Sequence, residues 1–396
     1  MVSEEIGLNR FLEDKGYKVV ETDLGEWIVQ LAKERPSHIT APALHKTKEE
    51  VAELLSRELG RPVPPDIGEM VKIARLELRR HFIEADAGIS GANLAVAKSG
   101  TLVIVSNEGN ARLVTSLPPL HIALVTTEKF VGTLEQAVSL VKALTMASSG
   151  IKLSSYVSFI TGPSRTTDIE KELVTGVHGP GEVHIIIIDN GRLAVAGDES
   201  FKDALYCLKC GGCMLVCPVF QAVGGYNFGG PVYPGGIGLM LTAVTRSIME
   251  SSSLLSLCAD CKKCEEFCPV GIKTGELLLR LKNLEGPSLR EKTLSRLFLG
   301  NEFIRPAAGV LSLLQKAWRE DDRLKGLPGR WARGKSFPAL NPKRPVPAEG
   351  KKGPKIYLFE GCLVRLFFPR IRDSAAKTLS ALDFNVVTPA EQACCG

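Results

Sequence analysis

CLKCGGCMLVCP at Cys207–Pro218 returns as CADCKKCEEFCP at Cys258–Pro269, with every cysteine and the final proline repeated 51 residues on. Each copy reads C-x2-C-x2-C-x3-C-P. Three thiols separated by two residues wrap three corners of a cubane from one turn of chain. The fourth thiol is carried off that loop, and the proline, lacking an N–H, turns the chain away. The spacing points to two 4Fe-4S clusters. Zinc also accepts four thiolates, but it needs only two C-x2-C knuckles; a third evenly spaced Cys and a Cys-Pro, twice over, have no use there. In runs of this kind the fourth Cys serves the other cluster. The prediction is therefore Cys207, Cys210, Cys213 and Cys268 on the first cluster, and Cys258, Cys261, Cys264 and Cys217 on the second. Gly211 and Gly212 let backbone N–H groups approach the sulfurs of the first loop, whereas Lys262 and Lys263 replace them in the second, so the two potentials should differ.

The copies are separated by an insertion, Pro218 to Leu257, that carries GGYNFGGPVYPGGIG at Gly224–Gly238. It reads either as a turn-rich surface loop or as a platform facing a partner or the clusters. Two one-electron sites close together suit a relay between partners.

The chain has 396 residues, 44% of them hydrophobic and 23% charged, which suits two or three globular domains and excludes wholesale disorder. Its eleven cysteines all lie from Cys207 onward. An odd number confined to one half does not make a disulfide scaffold. The opening MVSEEIGLNRF has no basic stretch followed by an apolar run, so the expected compartment is the cytoplasm, and no apolar stretch approaches the roughly 20 residues of a membrane span. The net charge of +5 comes from Gln315–Lys355, where twelve Lys/Arg face four Asp/Glu among prolines and glycines; this reads as a basic linker, not a nucleic-acid surface.

Before the cysteines, helical and strand patterns alternate, giving an α/β domain over residues 1–198. Helices are predicted at Glu4–Lys15, Leu24–Lys33, Lys46–Leu59, Ile67–Ala85, Leu134–Leu144 and Asp168–Leu173. Strands are predicted at Lys18–Glu21, Leu94–Ala97 and Thr101–Ser106 (a hairpin), His121–Thr126, Tyr156–Thr161 and Val183–Asp189, with His38–Ala41 extended. A helical dicluster domain follows at 199–285, Ser200 and Asp203 capping a helix Phe201–Leu208. Then come a helical extension (286–320), the basic linker (321–355) and a second α/β unit (356–396): strand Ile356–Phe359, helix Pro369–Leu382, strand Phe384–Val387.

Several stretches resemble known families. EADAGISGANLAVAKSGTLVIVSNEGNARLVTSLPPLHIALV (Glu84–Val125), with ETDLGEWIVQL, APALHK, ITGPSRTTDIE and GVHGPGEVHIIIIDNGR, resembles the lactate-utilisation (LUD) domain. The duplicated cysteine run and its GGYNFGGPVYPGGIG insert resemble the dicluster ferredoxin module of lactate-utilisation iron-sulfur proteins. Cys362, Cys394 and Cys395, spaced C-x31-CCG, resemble the first half of the cysteine-rich CCG module of heterodisulfide reductases and glycolate oxidase iron-sulfur subunits.

The resemblance implies a LUD fold related to ribose-phosphate isomerases and CoA transferases, with a small-molecule pocket at strand ends. Asn93, Glu108 and Asn110 are its candidates, Glu108 the catalytic one. It also implies that the chain lacks the N-terminal part of the LUD domain and the second CCG half, so a further iron-sulfur site at Cys362, Cys394 and Cys395 needs that half supplied. The function implied is an electron-transfer subunit of an L-lactate oxidation complex, whose partners are a flavoprotein or CCG/LUD subunits, with no nucleic acid and at most peripheral membrane association. No G-x-G-x-x-G lies between a strand and a helix, so no flavin or nicotinamide site is read here. Two alternatives stay open: a relay for another 2-hydroxy acid, glycerol phosphate or a thiol/disulfide couple, and a small-molecule-binding or transferase-like LUD module with purely structural clusters.

Overall fold

The computed structural model describes residues 2–149, 156–285, 292, 319–320, 323–324, 337–338, 353–361, 364 and 367–389. The chain divides into two compact units, 1–286 and 287–396.

The first unit opens with helices α1 (Val2–Glu5), α2 (Leu8–Asp14), α3 (Leu24–Ala32), α4 (Lys48–Leu59) and α5 (Ile67–Glu84). The single N-terminal helix expected over Glu4–Lys15 is broken at Gly7, whose φ of 65° lies in the left-handed region. The expected strand at Lys18–Glu21 does not form: the Gln30 side chain donates to the Val19 carbonyl and accepts from the Glu21 N–H, taking the bonds that a neighbouring strand would have supplied. Asp23 caps α3, and Thr47 and Glu50 form a capping box on α4. Trp27, Leu55, Met70, Ala74, Leu78 and Phe82 of these helices share one core.

Two sheets follow. Strands β1 (Ala87–Gly91), β4 (Leu120–Thr126) and β9 (Glu182–Ile188) form a parallel sheet in the order β1-β4-β9. Strands β2 (Leu94–Val96), β3 (Thr101–Ser106), β5 (Phe130–Val131) and β6 (Tyr156–Ile160) form a mixed sheet in the order β5-β2-β3-β6. The β2–β3 hairpin expected around Gly100 is present, with Leu94 opposite Val103. The sequence pattern missed β1 and helix α6 (Asn110–Ser116), which pack closely because Gly88 has no side chain: a Cβ there would lie 2.0 Å from the Val114 carbonyl oxygen. Helix α7 (Leu134–Ser149) covers the mixed sheet through Ala137 and Val141. The helix expected at Asp168–Leu173 is instead a turn between the short paired strands β7 (Arg165–Thr166) and β8 (Val174–Thr175); Glu170 and Lys171 take positive φ, which no helix continues. His38–Ala41 is likewise bent, not extended.

Helix α8 (Arg192–Ala196) leads into the cysteine region, where the expected helix at 201–208 is a 3-10 turn, Lys202–Tyr206. Ser200 and Asp203 do not cap it; Asp198 accepts from the Ser200 N–H instead. Beyond come α9 (Gly212–Leu215), α10 (Pro218–Val223), α11 (Gly235–Thr245), α12 (Ile248–Leu255), α13 (Lys263–Glu266) and α14 (Thr274–Glu285). The insertion between the cysteine runs is the core of this region and not a surface loop. Phe228, Tyr233, Ile237, Leu239, Met240 and Leu241 are at most 3% exposed, and α11 packs on α9, α12 and α14. Its glycines allow that burial: a Cβ on Gly238 would sit 1.8 Å from the Tyr233 carbonyl oxygen. Ile39 of the α/β domain joins the same core.

In the second unit the strands Lys355–Tyr357 and Asn385–Val387 pair in parallel, connected through the helix Pro369–Ala381, as expected of an α/β unit. Glu360 and Arg372, both buried, form an ion pair at 3.4 Å. Cys362, Cys394, Cys395 and nearly all of the helical extension and basic linker lie outside the described residues.

Candidate iron-sulfur centre

The two cysteine loops share one backbone plan. Lys209 and Gly211 in the first loop, and their counterparts Asp260 and Lys262 in the second, are all left-handed, with φ of 57°, 75°, 46° and 60°. Each left-handed pair reverses the chain so that the next residues start a short helix, α9 or α13, and the thiols fall on the inside of the curl. Backbone N–H groups then turn towards sulfur. Lys209 donates to Cys207 Sγ at 3.4 Å and Ile272 to Cys268 Sγ at 3.3 Å. Cys217 caps α10 by accepting from the Phe220 N–H at 3.5 Å, with Pro218 in the first helical turn.

The thiols converge on two cavities. One is lined by Cys207, Cys210, Cys213, Cys264 and Cys268 with Ile39 and Ile237; the other by Cys213, Cys217, Cys258, Cys261 and Cys264 with Phe228 and Ile237. Each cavity takes cysteines from both runs, and Cys213, Cys264 and Ile237 stand between the two. Burial pushes the Cys213 thiol well above its ordinary value, and pushes Cys264 up to about 11. Such a cluster of buried thiols becomes thiolate only against a cationic centre, which is what iron supplies. Among the described residues no three Cys, His, Asp or Glu groups converge on a point able to hold a single metal ion. Five thiols line each cavity, a donor set that fits a cubane cluster.

The first loop is held from the α/β domain on two sides. On one, Gly211 packs against His38: a Cβ would lie 2.6 Å from His38 Cε1. His38, 2% exposed, accepts the Thr40 and Ala41 N–H groups at Nδ1, so its proton sits on Nε2, beside Gly211. On the other side, Lys209 Nζ meets Glu128 Oε1 at 3.1 Å, and Glu128 Oε2 meets Arg192 Nε at 2.8 Å. Arg192 in turn clamps Glu5 with two bonds of 2.7 Å, and Glu5 also accepts from Asn190 and from the Tyr233 hydroxyl. Burial would raise Glu128, but the charges of Lys209 and Arg192 carry it down to about 2. Burial likewise opposes ionisation of Glu5, and the bonds from Arg192, Asn190 and Tyr233 overcome it. Lys129, beside Lys209 and Arg192, is pushed down to about 8 by desolvation and then by its cationic neighbours.

None of these α/β-domain residues stood out in the sequence. Arg192 ends the GVHGPGEVHIIIIDNGR stretch, but nothing along the chain pairs it with Glu5, 187 residues away. The Lys209/Asp260 contrast was readable by aligning the two cysteine runs. Of the α/β candidates, Asn93 Oδ1 accepts the Val105 N–H at 2.8 Å and Asn110 Oδ1 the Ala111 N–H at 2.8 Å, so both amide oxygens serve the backbone. Glu108 lies exposed in the turn after β3, where partial desolvation and then Asp23 raise its carboxyl.

The LUD domain family model matches residues 6–188, and the 4Fe-4S dicluster domain model matches residues 203–272. Lactate utilization protein B of Oceanobacillus iheyensis is 38% identical over 351 residues, which is 86% of this chain and 71% of that protein. This chain belongs to the lactate utilization protein B family. The Shouchella clausii protein of the same name is 43% identical over 71% of this chain and 57% of its own length. An Escherichia coli protein described as the uncharacterized electron transport protein YkgF is 38% identical over 71% of this chain and 57% of its own length. A crystal structure of a DUF162 family protein from Deinococcus radiodurans overlaps 27% of this chain and 56% of its own at 21% identity, with a TM-score of 0.20, too little to bear on the fold. The family places two 4Fe-4S clusters on the eight cysteines of the two runs. No helix among the described residues is long and apolar enough to cross a membrane.

Proposed function

We propose that the chain is the iron-sulfur relay of an L-lactate oxidation complex. The observation that carries it is the pair of cavities divided by Cys213 and Cys264, each lined by thiols of both cysteine runs. Sites that share a wall suit electron passage from one to the other. The crossed ligand sets are Cys207, Cys210, Cys213 and Cys268 for the first cluster, and Cys258, Cys261, Cys264 and Cys217 for the second.

When bound, each cluster supplies one-electron redox chemistry at a fixed position. The chain's own residues hold the thiols inside apolar walls, aim backbone N–H groups at sulfur and pin the first loop to the α/β domain. Oxidation of lactate to pyruvate releases two electrons and two protons. A flavoprotein partner breaks the C–H bond and hands the electrons over singly.

The domains run 1–198 (LUD), 199–285 (dicluster), 286–320 (helical extension), 321–355 (linker) and 356–396 (first part of a CCG module), and the protein works in the cytoplasm. The parallel strands around helix Pro369–Ala381 support the last domain. In the complex, Cys362, Cys394 and Cys395 contribute thiols to a further iron-sulfur site. Asn93, Glu108 and Asn110 form the rim of a small-molecule pocket in the LUD domain.

The test is anaerobic isolation with co-purifying subunits, followed by EPR on adding lactate. Reduction of the clusters by lactate through a flavoprotein partner is expected. Reduction by another 2-hydroxy acid, glycerol phosphate or a dithiol, with none by lactate, would replace this donor; clusters that cannot be reduced and reoxidised in the folded protein would end the relay reading.

A further inference from the structure

The two cysteine loops share a backbone but not a charge. At the first left-handed position, one loop carries Lys209 and the other Asp260. The Lys209 side chain is 12% exposed, pinned by Glu128 at 3.1 Å and lying 5.3 Å from the centre of the Tyr233 ring, while its own N–H points at Cys207 Sγ. Arg192 and Lys129 stand behind it. Counting Glu5 and Glu128 against Lys129, Arg192 and Lys209 leaves this side one positive charge.

The second loop is flanked by carboxylates. Gly275, which lines the second cavity, faces both Asp260 Oδ1 and Glu265 Oε1. With Glu266 against Lys262 and Lys263, the side carries one negative charge; Asp260, Glu266 and both lysines are exposed, where water and salt screen them alike, which leaves the half-buried Glu265 as the least screened charge on this side. A cluster gains one negative charge on reduction, so a shielded cation favours the reduced form and a carboxylate opposes it. Exposure pulls the other way, because water favours the more negative form. It distinguishes the sets by only one thiol, Cys261, the other seven being intermediate.

We propose that the first cluster has the higher potential of the two and that Lys209 is the residue that sets it. Electrons that enter at either cluster then settle on the one that lies against the α/β domain. The inference rests on the crossed two-cluster reading above but not on the identity of the donor.

The experiment is a mediated dithionite titration of the anaerobically purified full chain, with both clusters followed by EPR. Lys209→Asn, which a left-handed backbone accepts, is expected to lower the upper potential by at least tenfold in the reduction equilibrium, 59 mV for one electron, and to leave the lower one in place. Asp260→Asn, at an exposed position, is expected to raise only the lower potential. A Lys209→Asn protein with full iron whose upper potential is unmoved, or whose lower potential moves, overturns the proposal. If Lys209→Asn fails to assemble, Asp260→Asn decides alone: no shift, or a shift of the upper potential, overturns it. Failure of the two-cluster reading shows separately, as unsubstituted protein with far less than about eight iron.

Discussion

Arg192→Met removes the centre of the buried network between the α/β domain and the first cysteine loop. Arg192 is 1% exposed and makes three charge-assisted contacts of 2.7–2.8 Å, two to Glu5 and one to Glu128. Methionine fills much of the same volume but leaves both carboxylates without their guanidinium. Glu5 keeps Asn190 and Tyr233, and Glu128 keeps Lys209, so the loss is partial for each. Breaking a buried pair from one side costs about 3–5 kcal/mol. At roughly 2–3 °C per kcal/mol for a unit of this size, Tm should fall by roughly 6–15 °C. The assay is thermal denaturation of the cluster-loaded protein under argon at pH 7, followed by far-UV circular dichroism and cluster absorbance. Adding Glu5→Gln to Arg192→Met should recover part of the loss, because it removes one stranded charge. A Tm within about 2 °C of the parent would refute the reasoning, since that is the behaviour of a solvated ion pair.

Three further outcomes follow from the same structure. Cys207→Ser and Cys268→Ser should alter one and the same EPR signal, and Cys217→Ser and Cys258→Ser the other; if Cys268→Ser instead shares its signal with Cys258→Ser, the crossed ligand sets are wrong. Gly238→Ala drives a Cβ to 1.8 Å from the Tyr233 carbonyl oxygen inside α11, so expression without soluble, iron-loaded protein is expected, whereas Gly224→Ala, with open space around it but φ 75° and ψ 169°, a backbone region that is essentially glycine's alone, should cost about 1–3 kcal/mol of backbone strain by urea denaturation. His121 is fully buried with Nε2 2.8 Å from Ser90 Oγ, and burial pushes it down to about 4. Its folded value lies below its ordinary 6.5, so its contribution is complete above pH 6.5 and is lost as pH falls towards 4. Stability to urea should drop by about 2 kcal/mol from this group between pH 7 and pH 5, and His121→Gln should flatten that part of the profile.

The sequence carried the metal chemistry and the general architecture because both rest on local, repeating signals. Cysteine spacing is fixed by the geometry of a cubane and is visible in twelve residues. The hairpin at Leu94–Ser106 was equally local, with Gly100 at its turn. The insertion Gly224–Gly238 was harder: glycines and prolines read as a loop by composition, yet here they allow backbone to pass within contact distance of Tyr233 and the side chain of Thr242. Close packing and turn formation ask for the same residue, and composition does not separate them. Strand β1 was missed because AGISG has neither alternation nor bulk, and its pairing with β4 settles it. The clamp on the first loop was illegible for a different reason. Glu5, Arg192, Glu128 and Lys209 are scattered over two hundred residues, and only the folded chain links them in that order by contacts of 2.7–3.1 Å.

The central claim is that two neighbouring clusters share the cysteines of both runs. Its most direct measurement is iron, sulfide and EPR on the full chain purified without oxygen and reduced with dithionite. About eight iron and eight sulfide per chain are predicted, with a spectrum broadened by magnetic interaction between two reduced clusters lying either side of Cys213 and Cys264. Zinc in place of iron, about four iron per chain, or two sharp signals that do not interact would contradict it.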